Sequence, residues 1–242
     1  MKIERSAGIL LHPTSLPGKF GIGDLGPNAF GFIEFLKSAG QTLWQIFPLG
    51  PTGYGDSPYQ CFSAFAGNPL LISPELLQKD GLLNNSDLQN IPNYNPTQID
   101  FGNIINYKYK LLRKAFQNFK KKQVQFDDEC GDFCEKNNYW LDDYSLFMAA
   151  KQFHGGVQWT QWDPTIAFRQ NIPEWKNKLK DEIEFQKFLQ FIFDRQWTDV
   201  RLFANQNGIR IIGDIPIFIA YDSADLWANR ELFTVREDGT LE

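Results

Sequence analysis

The sequence predicts an α/β chain with parallel strands of a larger sheet or barrel that is not closed within this chain, interrupted by a mostly helical inserted subdomain. Three observations predict it. Two apolar strand-type segments near the start are joined by one amphipathic helix, which makes a βαβ unit with parallel strands. The same alternation returns near the end as a long helix followed by a third short strand. Between them, residues 53–180 show no strand alternation and read as substrate loop and helical insertion. A complete barrel needs eight strands in typically about 250 residues before insertions. A chain of 242 residues with that insertion is therefore expected to be cut short. The predicted segments are 1–52 (strands one and two and the first helix), 53–180 (loop and insertion) and 181–242 (return to the barrel).

Taken in order, Gly8-Ile-Leu-Leu-His12 is a short apolar run ended by Pro13 and Pro17, as a buried strand running into a loop would be. Pro27 opens a helix with Phe30, Ile33 and Leu36 at helical spacing, and Gly40 supplies a left-handed C-terminal cap. Thr42–Phe47 is the second strand, stopped by Pro48 and Gly50. Gly53–Pro74 is rich in loop residues and aromatics. Ile104–Lys122 has apolar positions at Ile104, Tyr107, Leu111, Leu112, Ala115, Phe116 and Phe119, and Asn138–Phe153 is a further helix ended by Gly155 and Gly156. Glu184–Gln206 carries a stripe of Phe188, Leu189, Ile192, Trp197, Val200 and Phe203, and spans roughly 35 Å. Ile209–Ile212 is the third strand, closing on Gly213-Asp-Ile-Pro216, and Asp222-Ser-Ala-Asp225 starts a helix as a capping-box variant.

The composition narrows the class of function. With 24 Lys+Arg against 29 Asp+Glu, the net charge of −5 leaves no basic footprint, and nucleic acid is not an expected partner. The apolar runs fall far short of a membrane span, and Met-Lys-Ile-Glu-Arg5 lacks the apolar stretch of a signal peptide. Three cysteines cannot pair completely, so free thiols and a cytoplasmic location are expected. The 22 Phe, 8 Tyr and 7 Trp exceed the needs of a core of this size, and some of these rings are expected to face a ligand.

Several motifs are set aside on spacing. Gly21, Gly23 and Gly26 form Gly-x-Gly-x-x-Gly before a helix, the pattern of a nicotinamide-dependent oxidoreductase. But Pro13–Phe20 is too long for the required tight turn, and the acidic residue expected about 20 positions on would fall at Ile46 in an apolar strand. Cys130 and Cys134 share a helical face, yet a zinc site needs about four ligands, so reduced thiols and no metal or cofactor are expected. His12 reads as a hydrogen-bonded structural histidine, and Lys120-Lys-Lys122 as a solvated helix end.

Two places read as functional. In a barrel, loops after strands lie on the active-site face. Gly53-Tyr-Gly-Asp-Ser-Pro-Tyr-Gln60 sets Tyr54, Ser57 and Tyr59 on such a loop. Phenol rings with an apolar face and a polar tip suit a sugar, and a packed loop with satisfied phenols fits the same residues. Asp214 is a carboxylate at the end of an apolar strand with no evident packing role, whereas capping of the next helix accounts for Asp222 and Asp225.

Arg5-Ser-Ala-Gly-Ile-Leu-Leu-His-Pro-Thr-Ser-Leu-Pro17, Gly21-Ile-Gly-Asp-Leu-Gly26 and Trp44-Gln-Ile-Phe-Pro-Leu-Gly-Pro51 resemble the 4-α-glucanotransferases. These are the amylomaltases or disproportionating enzymes, glycoside hydrolase family 77. Tyr54-Gly-Asp-Ser-Pro-Tyr59, Ala66-Gly-Asn-Pro69, Trp159-Thr-Gln-Trp-Asp163, Gln196-Trp197, Gly213-Asp-Ile-Pro-Ile217 and Asp222-Ser-Ala-Asp-Leu-Trp227 continue the resemblance along the chain.

The resemblance implies an α-amylase-like (β/α)8 TIM barrel with helical subdomains inserted, of which this chain would be the N-terminal part. It also implies transfer of an α-1,4-glucan segment to the 4-hydroxyl of an acceptor sugar by retaining double displacement. The partners would be a maltodextrin donor and a glucose or maltooligosaccharide acceptor. Asp214 is similar to the family's supporting aspartate, which binds sugar hydroxyls and is not the nucleophile. Tyr59 and Ser57 match substrate-contacting positions, Tyr54 one that holds a longer glucan, and Trp44 a structural support. The family's nucleophile motif, Arg-x-Asp-His, is not in this sequence, nor is the later acid/base glutamate, so the chain alone is predicted inactive. Its C-terminal half would be the missing partner. The alternative from another class is a non-catalytic maltodextrin-binding remnant. In either case an unclosed sheet should leave sticky edges and favour aggregation.

Overall fold

The computed structural model describes residues 5–53, 55, 57–122, 126–236 and 238–240. The chain forms two compact units, each drawn from three segments. Met1–Leu49, Gly67–Gln125 and Ile192–Ile215 make the first; Gly50–Ala66, Phe126–Phe191 and Pro216–Glu242 make the second. No helix among the described residues is long and apolar enough to cross a membrane.

The first unit is built on a parallel sheet of β1 (Gly8–Leu10), β2 (Leu43–Gln45) and β3 (Arg210–Ile212), in the order β1-β2-β3. Ile9 is in register with Trp44, and Trp44 with Ile211. The strands are shorter than their apolar runs suggest, although pairing continues a step further: Leu11 N–H donates to Gln45 O at 3.0 Å, and Ile46 N–H to Ile212 O at 3.0 Å. Pro13 and Pro48, which lack an N–H, then prevent further laddering.

Helix α1 (Pro27–Ser38) connects β1 to β2 and buries Ala29, Ile33 and Leu36. It ends as expected: Gly40 has φ +66°, and the N–H of Gln41 returns to Leu36 O at 2.9 Å. Trp44 is wholly buried under this helix, edge-on to Phe32 at 5.2 Å, with its indole N–H on Leu11 O at 2.8 Å. It is structural, as expected. Helices α2 (Pro74–Lys79) and α3 (Phe101–Lys122) also belong to this unit, which has a core cluster of Ile22, Leu70 and Ile104.

The second unit is helical: α4 (Asp127–Lys136), α5 (Asn138–Phe153), α6 (Pro164–Ala167) and α7 (Ile172–Lys178), followed by the first part of α8 (Lys180–Gln206), whose residues from Ile192 belong to the first unit. Helix α9 (Ala224–Ala228) closes it. Its core holds Leu141, Tyr144 and Phe147 against Trp159, Trp162, Trp175 and Trp227. Each of these four indole N–H groups has an acceptor: Tyr221 O, Val157 O, Thr165 Oγ1, and for Trp227 Ile166 O and Ala167 O. With Trp44, five of the seven tryptophans are buried, so most of the tryptophan excess is core.

The helix after Tyr221 differs from the expected capping box. Ser223 alone caps α9, accepting from Leu226 N–H at 3.3 Å. Asp222 and Asp225 do other work, described below.

Candidate functional site

Because the three strands are parallel, their exits lie at one end of the sheet. Three groups of the first unit gather there: His12 beyond β1, Pro48 beyond β2 and Asp214 beyond β3. Asp214 is exposed, two residues past the strand, with Oδ1 accepting from the N–H of Ile215 at 2.8 Å. Its neighbours Ile212 and Ile215 are also exposed, so the carboxylate stands on an apolar rim.

His12 is a different kind of group. Its Nδ1 accepts from the Thr14 N–H at 3.3 Å and lies 2.7 Å from Thr14 Oγ1, which leaves Nε2 to donate to Pro48 O at 3.3 Å. Both ring nitrogens thus hold the loops after β1 and β2, the structural role expected for it. Burial holds its pKa below the usual 6.5, against a smaller opposing effect of the Pro48 carbonyl. The depressed value fixes the sign of the pH dependence. The stabilisation is full above about pH 6.5, where the unfolded ring is neutral, and is lost as pH falls through the lower folded value. His12→Gln is therefore expected to flatten the decline in melting temperature between about pH 7 and pH 5. A decline of equal slope in the variant would contradict this.

The Gly21–Gly26 motif is used for packing. A Cβ on Gly21 would meet the Tyr94 ring at 2.6 Å, one on Gly23 the Pro13 carbonyl at 2.1 Å, and one on Gly26 Ser73 Oγ at 2.3 Å. Gly23 also donates its N–H to Thr14 O at 3.0 Å, fixing the loop that carries the His12 contact. Close approach of backbone at Gly23, and of the Tyr94 and Ser73 side chains at Gly21 and Gly26, accounts for these glycines.

In the second unit, residues 51–53 and 57–62 are drawn together across a loop. Thr52 and Cys61 make an antiparallel bridge, Gly53 N–H donates to Gln60 O at 2.7 Å, and Phe62 N–H to Pro51 O at 3.0 Å. Ser57 and Tyr59 come together on the turn at its tip. Gln60 N–H donates to Ser57 O at 3.1 Å and Tyr59 N–H to Ser57 Oγ at 3.3 Å, while the Tyr59 side chain is exposed. Tyr54 lies outside the described residues.

The base of this loop is tied down by Asp225, one of the two aspartates assigned above to capping. Asp225 accepts from Ala64 N–H at 2.7 Å and from Ser63 Oγ at 3.4 Å, and burial pushes its pKa up. Asp222 pairs with Lys151 Nζ at 2.5 Å and accepts from Trp159 N–H at 3.3 Å. The capping expectation is corrected here: a serine between them serves the helix, and both carboxylates hold distant backbone. Sequence spacing gave no hint, since their partners lie 71 and 161 residues away. Among the described residues, no group of three or more His, Cys, Asp or Glu is placed to hold a metal ion.

A parallel sheet with a carboxylate at a strand exit, and with helical segments inserted between β2 and β3, fits part of a barrel-type α/β enzyme, which presents its reacting groups at the strand ends. The family profile described as 4-alpha-glucanotransferase matches residues 11–240. A 4-alpha-glucanotransferase from Synechocystis is 49% identical over 235 residues, covering 95% of this chain and 46% of that protein. One from Thermus thermophilus is 46% identical over 242 residues, covering 99% of this chain and 48% of its own length. Among solved structures, an amylomaltase from Streptococcus agalactiae in complex with acarbose matches with TM-score 0.93 at 37% identity, over 98% of this chain and 48% of that one. The chain belongs to the 4-alpha-glucanotransferase family, glycoside hydrolase family 77. It spans about half the length of the curated relatives it matches.

Proposed function

We propose that this chain supplies part of the donor-side surface of a cytoplasmic 4-α-glucanotransferase, which moves an α-1,4-glucan segment to the 4-hydroxyl of an acceptor sugar with retention. In that reading Asp214 binds hydroxyls of the sugar at the cleaved bond without acting as nucleophile. Ser57 and Tyr59 contact substrate beside it, and Tyr54 holds the longer glucan. Retaining transfer needs two carboxyl groups about 5–5.5 Å apart across the bond. The nucleophile's Arg-x-Asp-His motif is not in this sequence, so the chain alone is inactive and its partner is the family's C-terminal half.

The observation that carries the reading is the likeness to the acarbose-bound amylomaltase over 98% of this chain. Asp214 supports it by standing exposed where a barrel presents its reacting groups. The three free thiols support the cytoplasmic setting. The test is a maltotriose assay. The chain alone is expected to leave maltotriose intact, and a protein completed by the family's C-terminal half to yield glucose and longer maltodextrins. In the completed protein, Asp214→Asn removes a charge-assisted hydrogen bond worth about 1.5–3 kcal/mol, so turnover should fall about ten- to a hundredfold. Transfer by the chain alone, or an unchanged rate with Asp214→Asn, would refute these roles. Saturable maltodextrin binding with no transfer in the completed protein would favour a binding remnant.

A further inference from the structure

Helix α4 carries Cys130 and Cys134, one turn apart on the same face. Neither is in a disulfide, both are partly exposed, and their side chains are hydrogen-bonded to each other. That bond is the main reason the Cys134 pKa falls to about 7, with the Lys187 ammonium from α8 adding to it, and burial and the Asp142 carboxylate of α5 opposing it. Lys187 is itself paired with Asp142. Cys61 is the contrast: it is buried, and burial pushes its thiol up.

The helix beneath the pair is thinly held. Most of α4 is exposed; Phe133 and Cys134 are the residues that reach the core of this unit, Phe133 with its ring 6.0 Å from that of Phe191. A segment with few buried contacts opens locally at low cost.

We propose that Cys130 and Cys134 form a redox-sensitive dithiol that hydrogen peroxide oxidises to a disulfide, with Cys134 attacking first. The Cys134 thiolate bonds to one peroxide oxygen, the O–O bond breaks, and the other oxygen leaves as hydroxide and takes a proton to become water. Sulfur is oxidised by two electrons to the sulfenic acid. The Cys130 sulfur, giving up its proton, then attacks that sulfur; the S–O bond breaks and a second water leaves. Closing the disulfide reshapes the helix. Residues four apart in a regular helix have Cβ atoms about 5–6 Å apart, whereas a disulfide needs about 3.5–4.5 Å. Oxidation therefore unwinds the turn between the two cysteines.

The test exposes the full chain to dilute hydrogen peroxide, alkylates the remaining thiols after denaturation and maps the peptides. An internal disulfide between Cys130 and Cys134, reversed by dithiothreitol, is expected while Cys61 stays alkylatable. Faster amide exchange should be confined to α4. Cys130→Ser should leave a Cys134 sulfenic acid trapped by dimedone, and Cys134→Ser should slow loss of the Cys130 thiol about tenfold. If both thiols survive, if Cys61 oxidises first, or if the disulfide joins two copies, the proposal is overturned. The mapping of the unsubstituted chain decides this even where a variant fails to fold.

Discussion

Lys108→Met is expected to destabilise the first unit by about 3–5 kcal/mol, because it leaves a buried carboxylate without its partner. Lys108 sits on α3 with no exposed surface. Its ammonium donates to Leu70 O at 2.6 Å and lies 3.5 Å from Asp24 Oδ2. Burial pushes the Asp24 pKa up and the Lys108 pKa down, each toward its neutral form, and the attraction between them opposes both shifts. At this separation the attraction only offsets desolvation, so the pair adds little by itself. Removing one member is what costs.

Asp24 also accepts the Gly26 N–H at 3.0 Å where α1 begins. The lost contact would therefore loosen both the entry to α1 and the segment around Leu70. The double variant Asp24→Asn, Lys108→Met should recover part of the loss, with a coupling of about 0.5–3 kcal/mol. Urea unfolding of the two single variants and the double variant measures it. A Lys108→Met chain within about 0.5 kcal/mol of the unsubstituted one would show that the pair is not buried as described.

That lysine also shows what could be read from the residues alone. The α3 stripe was legible from Ile104, Tyr107, Leu111 and Leu112, and Lys108 stands one turn from both Ile104 and Leu111, inside the stripe. A charge on a buried face asks for a partner, but nothing in the spacing identifies Asp24, which lies 84 residues earlier. The bounds of helix α1 were legible because its signals are local: Pro27 at the start, Ile33 and Leu36 in the buried stripe, Gly40 at the end; Ala29 rather than the half-buried Phe30 completes that stripe. Asp222 and Asp225 were misread for the opposite reason. An Asp-Ser-Ala-Asp run satisfies a local capping rule, and the tertiary contacts that overrode it link positions remote in the chain. At the candidate site, Asp214 could be picked out by its place after an apolar strand. Ser57 and Tyr59 stood out as a loop pattern, but the roles proposed for them rest on family resemblance.

Gly23→Ala is the second large effect expected, at about 3 kcal/mol, the upper end of overpacking costs. The added methyl carbon would stand 2.1 Å from the Pro13 carbonyl oxygen and 2.7 and 2.8 Å from the backbone oxygen and nitrogen of Leu16. No side-chain rotation relieves a clash with backbone. The loop after β1 would have to move away, breaking the bond from Gly23 N–H to Thr14 O and displacing the residue that His12 contacts. The effect also separates two explanations of the glycine motif. A glycine kept for a bound pyrophosphate would tolerate alanine in the ligand-free chain and lose only cofactor binding. A glycine kept because two loops touch must lose stability with nothing bound. Thermal unfolding of the Gly23→Ala chain without added ligand distinguishes them, and an unchanged melting temperature would mean that the loops do not meet as closely as described here.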